Sequence, residues 1–246
     1  VAVQFQARAA RAAERELSRI LKELRSDFVD VATLYYVESE EEWQALIAPG
    51  GVWDVLARLK RDGALRMIGL TSHQRGLAAG WAQQTVPEAD GRPREAGKGR
   101  EDLSLVRESR AATPRDPAHG GQEARYRLDM LMIRYNAAHR GAEREVFPVT
   151  AARNMPVVTY TGLRWRALLE PTPDDPRGFR PPGAADCYRF CLSHPAVAVV
   201  LTAPGNRKQL EENLSLLEDW RAAEPEEAEK LLAHGERVHR YASEFW

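Results

Sequence analysis

Two hydrophobic rhythms alternate along this chain: short unbroken runs of β-branched and aliphatic residues, and longer stretches with apolar residues three and four apart. Weak alternation over Val1–Phe5 predicts a short strand, and Arg8–Leu24 carries Leu17, Ile20, Leu21 and Leu24 at helical spacing. Asp27–Tyr36 predicts a buried strand. The polar stretch from Val37 to Glu42 reads as a turn into a helix around Trp53–Arg61, with Val52, Val55, Leu56 and Leu59 inward and Asp62-Gly63 as its stop. Leu65–Leu70 predicts a third strand ending in Thr71-Ser72-His73, and Arg75–Gln83 a helix. Leu128–Asn136 follows as a strand, Ala142–Arg153 as a helix kinked at Pro148, and Met155–Thr161 as a fifth strand. After a helix over Ala184–Ser193, the run Val197–Leu201 predicts a sixth strand covered on both faces. Pro204-Gly205-Asn206 breaks it, and Asn206 is placed to cap a helix with Leu210, Leu214 and Leu217 on one face. Pro225–Tyr241 forms the last helix, acidic at its start and basic near its end.

Strand and helix thus alternate six times, which predicts a parallel sheet, either open and doubly wound or a (β/α) barrel. The short βα turns and polar strand ends fit a barrel two units short of eight. The sequence opens at Val1 in a strand pattern, without methionine, so a piece of a longer chain is expected. Thr85–Gln122, rich in Pro, Gly, Arg, Glu and Ser, breaks the rhythm and reads as a disordered insertion in a single domain spanning 1–246.

Charge is balanced, with 35 basic and 36 acidic residues, so neither nucleic acid nor an anionic membrane is implied as a partner. No run approaches the roughly 18 apolar residues of a membrane span, which predicts a soluble, cytoplasmic protein; a targeting segment upstream of Val1 stays open. Cys187 and Cys191, four apart in a helical pattern, suit helix packing better than a disulfide, and they do not complete a metal site.

Candidate chemistry lies at the predicted strand ends. The helix start at Asn206, with Arg207 and Lys208 beside it, favours a phosphate. Tyr35 and Tyr36 end one strand, but an unassisted phenol is a poor acid–base group at neutral pH. His73 titrates usefully, yet nothing nearby in sequence pairs it with a base, so it reads more simply as a polar loop residue. Arg134, Tyr135, Asn136, His139 and Arg140 form the densest polar cluster, with Arg134 and Asn136 on one strand face and Tyr135 on the other. Arg134 either binds an anionic substrate or cofactor phosphate, or pairs with Glu143 or Glu145; both accounts are open. His194 reads as a C-cap contact, and His234 and His239 as surface positions.

Five segments carry a resemblance: LRSDFVDVATLYY (24–36), ALRMIGLTSH (64–73), MIRYNAAHRGAEREVFP (132–148), MPVVTYTGLRW (155–165) and CYRFCLSHPAVAVVLTAPGNRKQLEENLSLLE (187–218). In this order they resemble the third through eighth βα units of the aldo/keto reductase family, covering nearly everything but the insertion. The resemblance implies a (β/α)8 barrel lacking its first two strands, and an oxidoreductase that moves hydride between NADP(H) and a small carbonyl or alcohol substrate. It places Tyr160 against the nicotinamide, Thr71 and Ser72 at the carboxamide, which Asn136 at its own strand end is also placed to bond, and Thr161 and Leu163 along the pyrophosphate. Thr202, Gly205, Asn206 and Arg207 fall at the adenosine phosphate, and Glu212 and Asn213 at adenine. Gln209 stands where an arginine often grips the ribose phosphate, so NAD is possible in place of NADP. The family's catalytic Asp and Tyr belong to a unit absent here, Gln4 stands at the Lys position and Tyr35 at the His position; no proton donor is identified. The alternative implied is a cofactor-binding pseudoenzyme serving redox sensing or interaction.

Overall fold

The computed structural model describes residues 1–84, 126–218 and 220–241. Six strands form one parallel sheet: β1 (Ala2–Phe5), β2 (Val29–Leu34), β3 (Leu65–Ser72), β4 (Met130–Arg134), β5 (Val157–Tyr160) and β6 (Val197–Val200). Their spatial order is their chain order. That decides between the two architectures. Right-handed crossovers that always step the same way place their helices on one face, whereas a doubly wound sheet reverses direction and is covered on both. The chain is therefore a parallel α/β fold wound in the manner of a barrel.

The helices are α1 (Ala10–Leu24), α2 (Glu40–Ile47), α3 (Val52–Arg61), α4 (Arg75–Gln84), α5 (Gly141–Glu145), α6 (Phe147–Ala152), α7 (Ala184–Ser193), α8 (Arg207–Glu218) and α9 (Pro225–Tyr241). The core lies between them and the sheet, where Phe5, Leu34, Leu70, Ile133 and Val157 are buried. Trp43 of α2 stacks on Trp81 of α4 at 5.2 Å and meets Trp53 of α3 edge-on. The opposite, inner face carries Gln4, Thr33, Gly69 and Met130 in one register row. A Cβ on Gly69 would sit 2.1 Å from Met130 Sδ and 2.8 Å from Thr33 Cγ2, so the row is already filled.

Five expectations need correction. The stretch Val37–Glu42, read as a turn, contains the start of α2: Ser39 Oγ accepts from Glu42 N (3.2 Å), and the Glu42 carboxylate accepts from Glu38 N (2.8 Å). The spacing Ser39-x-x-Glu42 is a capping signal that the long acidic run hid. The kinked helix at Pro148 is two helices, breaking at Val146, with Pro148 in the first turn of α6, where its missing N–H is harmless.

The run Val197–Leu201 is not covered on both faces: Ala198, Val199 and Leu201 are exposed. Among the described residues β6 pairs with β5 alone, so it is an edge. The Leu210, Leu214 and Leu217 face of α8 likewise points outward, and Leu216 alone of that helix is buried, against Ala184 and Tyr188. Leu214→Ala is accordingly expected to change stability by less than about 0.5 kcal/mol, and Leu216→Ala to cost about 2–4 kcal/mol, in urea unfolding. The opposite ranking would mean that α8 packs on its other face.

Histidine 234, expected on the surface, is fully buried. Its Nε2 faces Leu168 O at 3.1 Å and its Nδ1 lies 3.4 Å from Asp175 Oδ1, while His239 is exposed as expected. Helix α9 thereby docks on the segment after β5. It also lies on the loop after β4, for a Cβ on Gly235 would meet Ala137 O at 2.4 Å. Residues 85–122, read as an insertion, lie outside the described residues.

Candidate functional site

Side-chain alternation decides which polar groups meet. Along β4, Ile133 and then Tyr135 face the helices, where Tyr135 packs on Phe147 (5.0 Å) and Phe190 (5.7 Å) and its hydroxyl donates to Glu143 (2.8 Å). Met130, Met132 and Arg134 take the inner face, and parallel register sets Arg134 beside Tyr160. One row below, Thr71 stands beside Met132. Thr71 is 1% exposed and its Oγ1 has no hydrogen-bond partner in the structure.

An aromatic cluster closes the other side. The Tyr160 hydroxyl donates to Ser72 O (3.3 Å), and its ring meets His73 edge-on at 6.0 Å. Tyr36 lies 4.3 Å from the His73 ring and 4.1 Å from Tyr35. Burial is the main force raising both the Tyr36 and Tyr160 phenols above the ordinary value of 10. Tyr36 holds the left-handed conformation (φ 43), and the carbonyls of Tyr35 and Tyr36 both accept from Arg8 Nη2 (2.6 and 3.2 Å).

His73 has a carboxylate partner. Glu38 Oε1 accepts from His73 N (2.9 Å) and lies 3.2 Å from Nδ1. The two stand 35 residues apart, on loops after neighbouring strands, so sequence reasoning that looked for a local base missed Glu38. Arg164 was missed for another reason: it follows β5 in a tight left-handed run (φ 51, 51 and 76 at Arg164, Trp165 and Arg166) that no glycine announces. Arg164 is 2% exposed, with its guanidinium 4.8 Å from the Trp165 ring centre.

Asn136 joins the two loops. Its Nδ2 donates to Thr161 O (2.8 Å), while its Oδ1 accepts from Ala138 N (2.9 Å) and lies 3.3 Å from His139 Nδ1. The side chain is fully buried and lies beyond the end of β4. Thr161 is left-handed (φ 55) with its hydroxyl on Tyr160 O (2.7 Å), and Leu163 packs partly against the core. Ser72 Oγ is engaged locally, accepting from Gln74 N at 2.9 Å.

The alternative pairing for Arg134 is absent. Glu143 is taken by Arg140 (2.6 Å) and Tyr135, and Glu145 by Arg75 (3.1 Å). His139 is pushed down to about 3, by burial first and then by Arg134, Arg164, His239 and Arg75, and is neutral at pH 7.

Thr202, Gly205, Asn206 and Arg207 are exposed and lead from β6, the neighbour of β5, into the start of α8. Asn206 caps the helix as expected, its Oδ1 accepting from Gln209 N (3.0 Å) while Gln209 Oε1 accepts from Gly205 N (2.7 Å). Arg207 pairs with Glu211 (2.6 Å) in full solvent. Glu212 accepts from Ala184 N (3.2 Å), and Asn213 is half-buried on the same helix. Gln4 lies low on the inner face, its Nε2 3.8 Å from Met132 Sδ. Both cysteines are buried, and burial pushes the Cys187 thiol up to about 12. Neither thiol is expected to react with a disulfide reagent at pH 8 in the folded protein, and both should react in denaturant; rapid native labelling would contradict this packing.

No protein-family model matches this chain, and no curated protein does. Solved structures do. The fold is that of aldo-keto reductases: aldo-keto reductase AKR11C1 from Bacillus halodurans, in its apo form, superposes with a TM-score of 0.62 at 15% identity, over 95% of this chain and 70% of that one. Its holo form matches with a TM-score of 0.61, the same identity and the same coverage. At this identity the likeness defines the architecture alone. No described helix is long and apolar enough to cross a membrane.

Proposed function

We propose that this chain is an NADP(H)-binding oxidoreductase of the aldo/keto reductase type, acting on a small carbonyl or alcohol compound at the C-terminal ends of its strands. The observation that supports it most is the inner-face constellation in which Thr71 Oγ1, buried and unpartnered, stands one row below the Tyr160 ring. An unsatisfied buried hydroxyl beside an aromatic platform fits a flat carboxamide-bearing ring. A bound nicotinamide would supply the hydride. Tyr160 offers it one face, Thr71 a hydrogen bond, and Ser72 and Asn136 hold those two groups in place. Thr161 and Leu163 line the pyrophosphate path; Thr202, Gly205, Asn206 and Arg207 take the adenosine phosphate, and Glu212 and Asn213 the adenine. With Gln209 committed to its capping bond, NAD is admitted beside NADP.

The proton-donor role goes to His73, because Glu38 orients its ring and the ring borders Tyr160. The reading includes a departure from the family pattern at Gln4 and Tyr35, a correspondence to the family's third to eighth units, and one domain with residues 85–122 inserted. It places the protein in the cytoplasm.

NADPH oxidation with a panel of aldehydes and ketones tests the reading. His73→Gln should lower kcat about 100-fold, the usual worth of a general acid, while leaving NADPH affinity unchanged. A pseudoenzyme is the second reading, favoured by the phenols: burial first, then Tyr35 and Glu38, hold Tyr36 above its ordinary value against Arg134, which makes it a poor proton donor at neutral pH. It predicts NADPH binding with no turnover of any carbonyl compound.

A further inference from the structure

We infer that Arg134 is the anchor of an oxyanion subsite in this cluster, and that its ligand is a carboxylate carried by the substrate. The inference rests on the proposed site and names its substrate class: carbonyl compounds that also bear a carboxylate. Arg134 is 7% exposed, and its Nε and Nη1 have no hydrogen-bond partner. Among the described residues it forms no ion pair, because the neighbouring acids are committed: Glu143 to Arg140, Glu145 to Arg75, and Glu38 to His73. Burial first, then the neighbouring Arg164 and Arg75, hold its guanidinium below the ordinary value. His139 beside them is neutral and adds no counter-charge.

A buried guanidinium with unpartnered N–H donors is costly, and a methionine or glutamine of similar length would be easier to bury. An oxyanion relieves that cost and satisfies a planar fork of N–H donors that suits carboxylate geometry. Register places the fork beside Tyr160, on the face that also carries Thr71. A carboxylate held there would set the carbonyl end of a short oxo acid near the ring platform and His73. The start of α8, where Asn206 caps the helix and Arg207 is exposed, is the proposed place of the cofactor's adenosine phosphate, so Arg134 is left for the substrate.

The test is thermal melting with malonate as probe, at fixed ionic strength, for the wild type and Arg134→Gln, each with and without NADPH. The wild type should gain several degrees at saturating malonate, whether or not NADPH is present. Arg134→Gln should melt at or above the wild-type temperature without malonate and show at least a tenfold weaker malonate response. Because that variant is expected to fold as well as the parent, loss of response cannot be put down to unfolding; Arg134→Lys, which retains the charge without the fork, should respond in between. An unchanged response in Arg134→Gln, or none in the folded wild type, overturns the subsite. Competition between malonate and NADPH, with weaker NADPH binding in Arg134→Gln, overturns the substrate assignment in favour of a cofactor phosphate. NADPH binding measured alone reports on the proposed function separately, so failure of the subsite and failure of the cofactor site are distinct results.

Discussion

Gly235→Ala is expected to destabilise the protein by about 3 kcal/mol, against the sign that helix propensity alone would give. In an exposed helix interior the same change gains up to about 1 kcal/mol, because glycine loses more backbone freedom on folding. Here α9 runs so close to the loop after β4 that the new Cβ would fall 2.4 Å from Ala137 O and 2.5 Å from its carbonyl carbon. Backbone cannot rotate away as a flexible side chain can. The helix must lift, and with it the wall behind Ala137, whose neighbour Asn136 ties the β4 loop to Thr161. A melting temperature lower by about 6–12 °C is the expected reading for a protein of this size. A variant as stable as the parent would mean that α9 does not seat on this loop.

The second large effect concerns the other end of the same contact. Asp175 accepts from Thr172 N and from Arg237 Nε (2.6 Å), and it lies 3.4 Å from His234 Nδ1. Its side chain is 8% exposed, Arg237 13% and His234 not at all. Asp175→Ala strands a cation and an imidazole in this pocket and should cost about 3–5 kcal/mol, as breaking a buried pair usually does. Asp175→Asn, which keeps an acceptor, should cost less. The pH dependence has a definite sign. Burial pushes the carboxyl up, but the hydrogen bonds from Thr172, Arg237 and His234 outweigh it, so the folded value lies below the ordinary 3.8. A depressed carboxylate adds stability that is complete above its unfolded value and is lost as pH falls below it. Below about pH 4 the wild type should therefore lose stability that Asp175→Asn has already lost, and the two should converge. Divergence on acidification would contradict the clamp.

The elements could be read from the chain because their signals are local. Ala184–Ser193 and Pro225–Tyr241 have the bounds expected from their apolar spacing and end residues, and the strand runs fall within a few residues of β1 to β6. Asn206 could be recognised as a cap for the same reason. What was not legible depends on neighbours distant in sequence. The leucine face of α8 has the ordinary spacing of a buried stripe, and nothing in that spacing says whether another element covers it. The depth of His234 comes from Asp175 and Leu168, 59 and 66 residues away. At the site, Arg134 was visible as a polar residue at a strand end and Tyr160 through the family resemblance, but the acids that Arg134 fails to meet are committed by contacts that only the folded chain creates. Glu38 stayed hidden because its partner belongs to the next unit.

Nicotinamide-cofactor binding at the Tyr160 platform is the central claim, and titration of NADPH followed by tryptophan fluorescence tests it most directly. Trp165, 59% exposed and five residues beyond Tyr160, lies close enough in sequence to serve as a reporter. Saturable quenching is expected in the wild type, with affinity at least tenfold weaker in Tyr160→Ala, about the 1.4 kcal/mol that one aromatic contact can supply. A folded wild type that shows no saturable quenching, or a Tyr160→Ala variant that binds NADPH as tightly as its parent, would contradict the account.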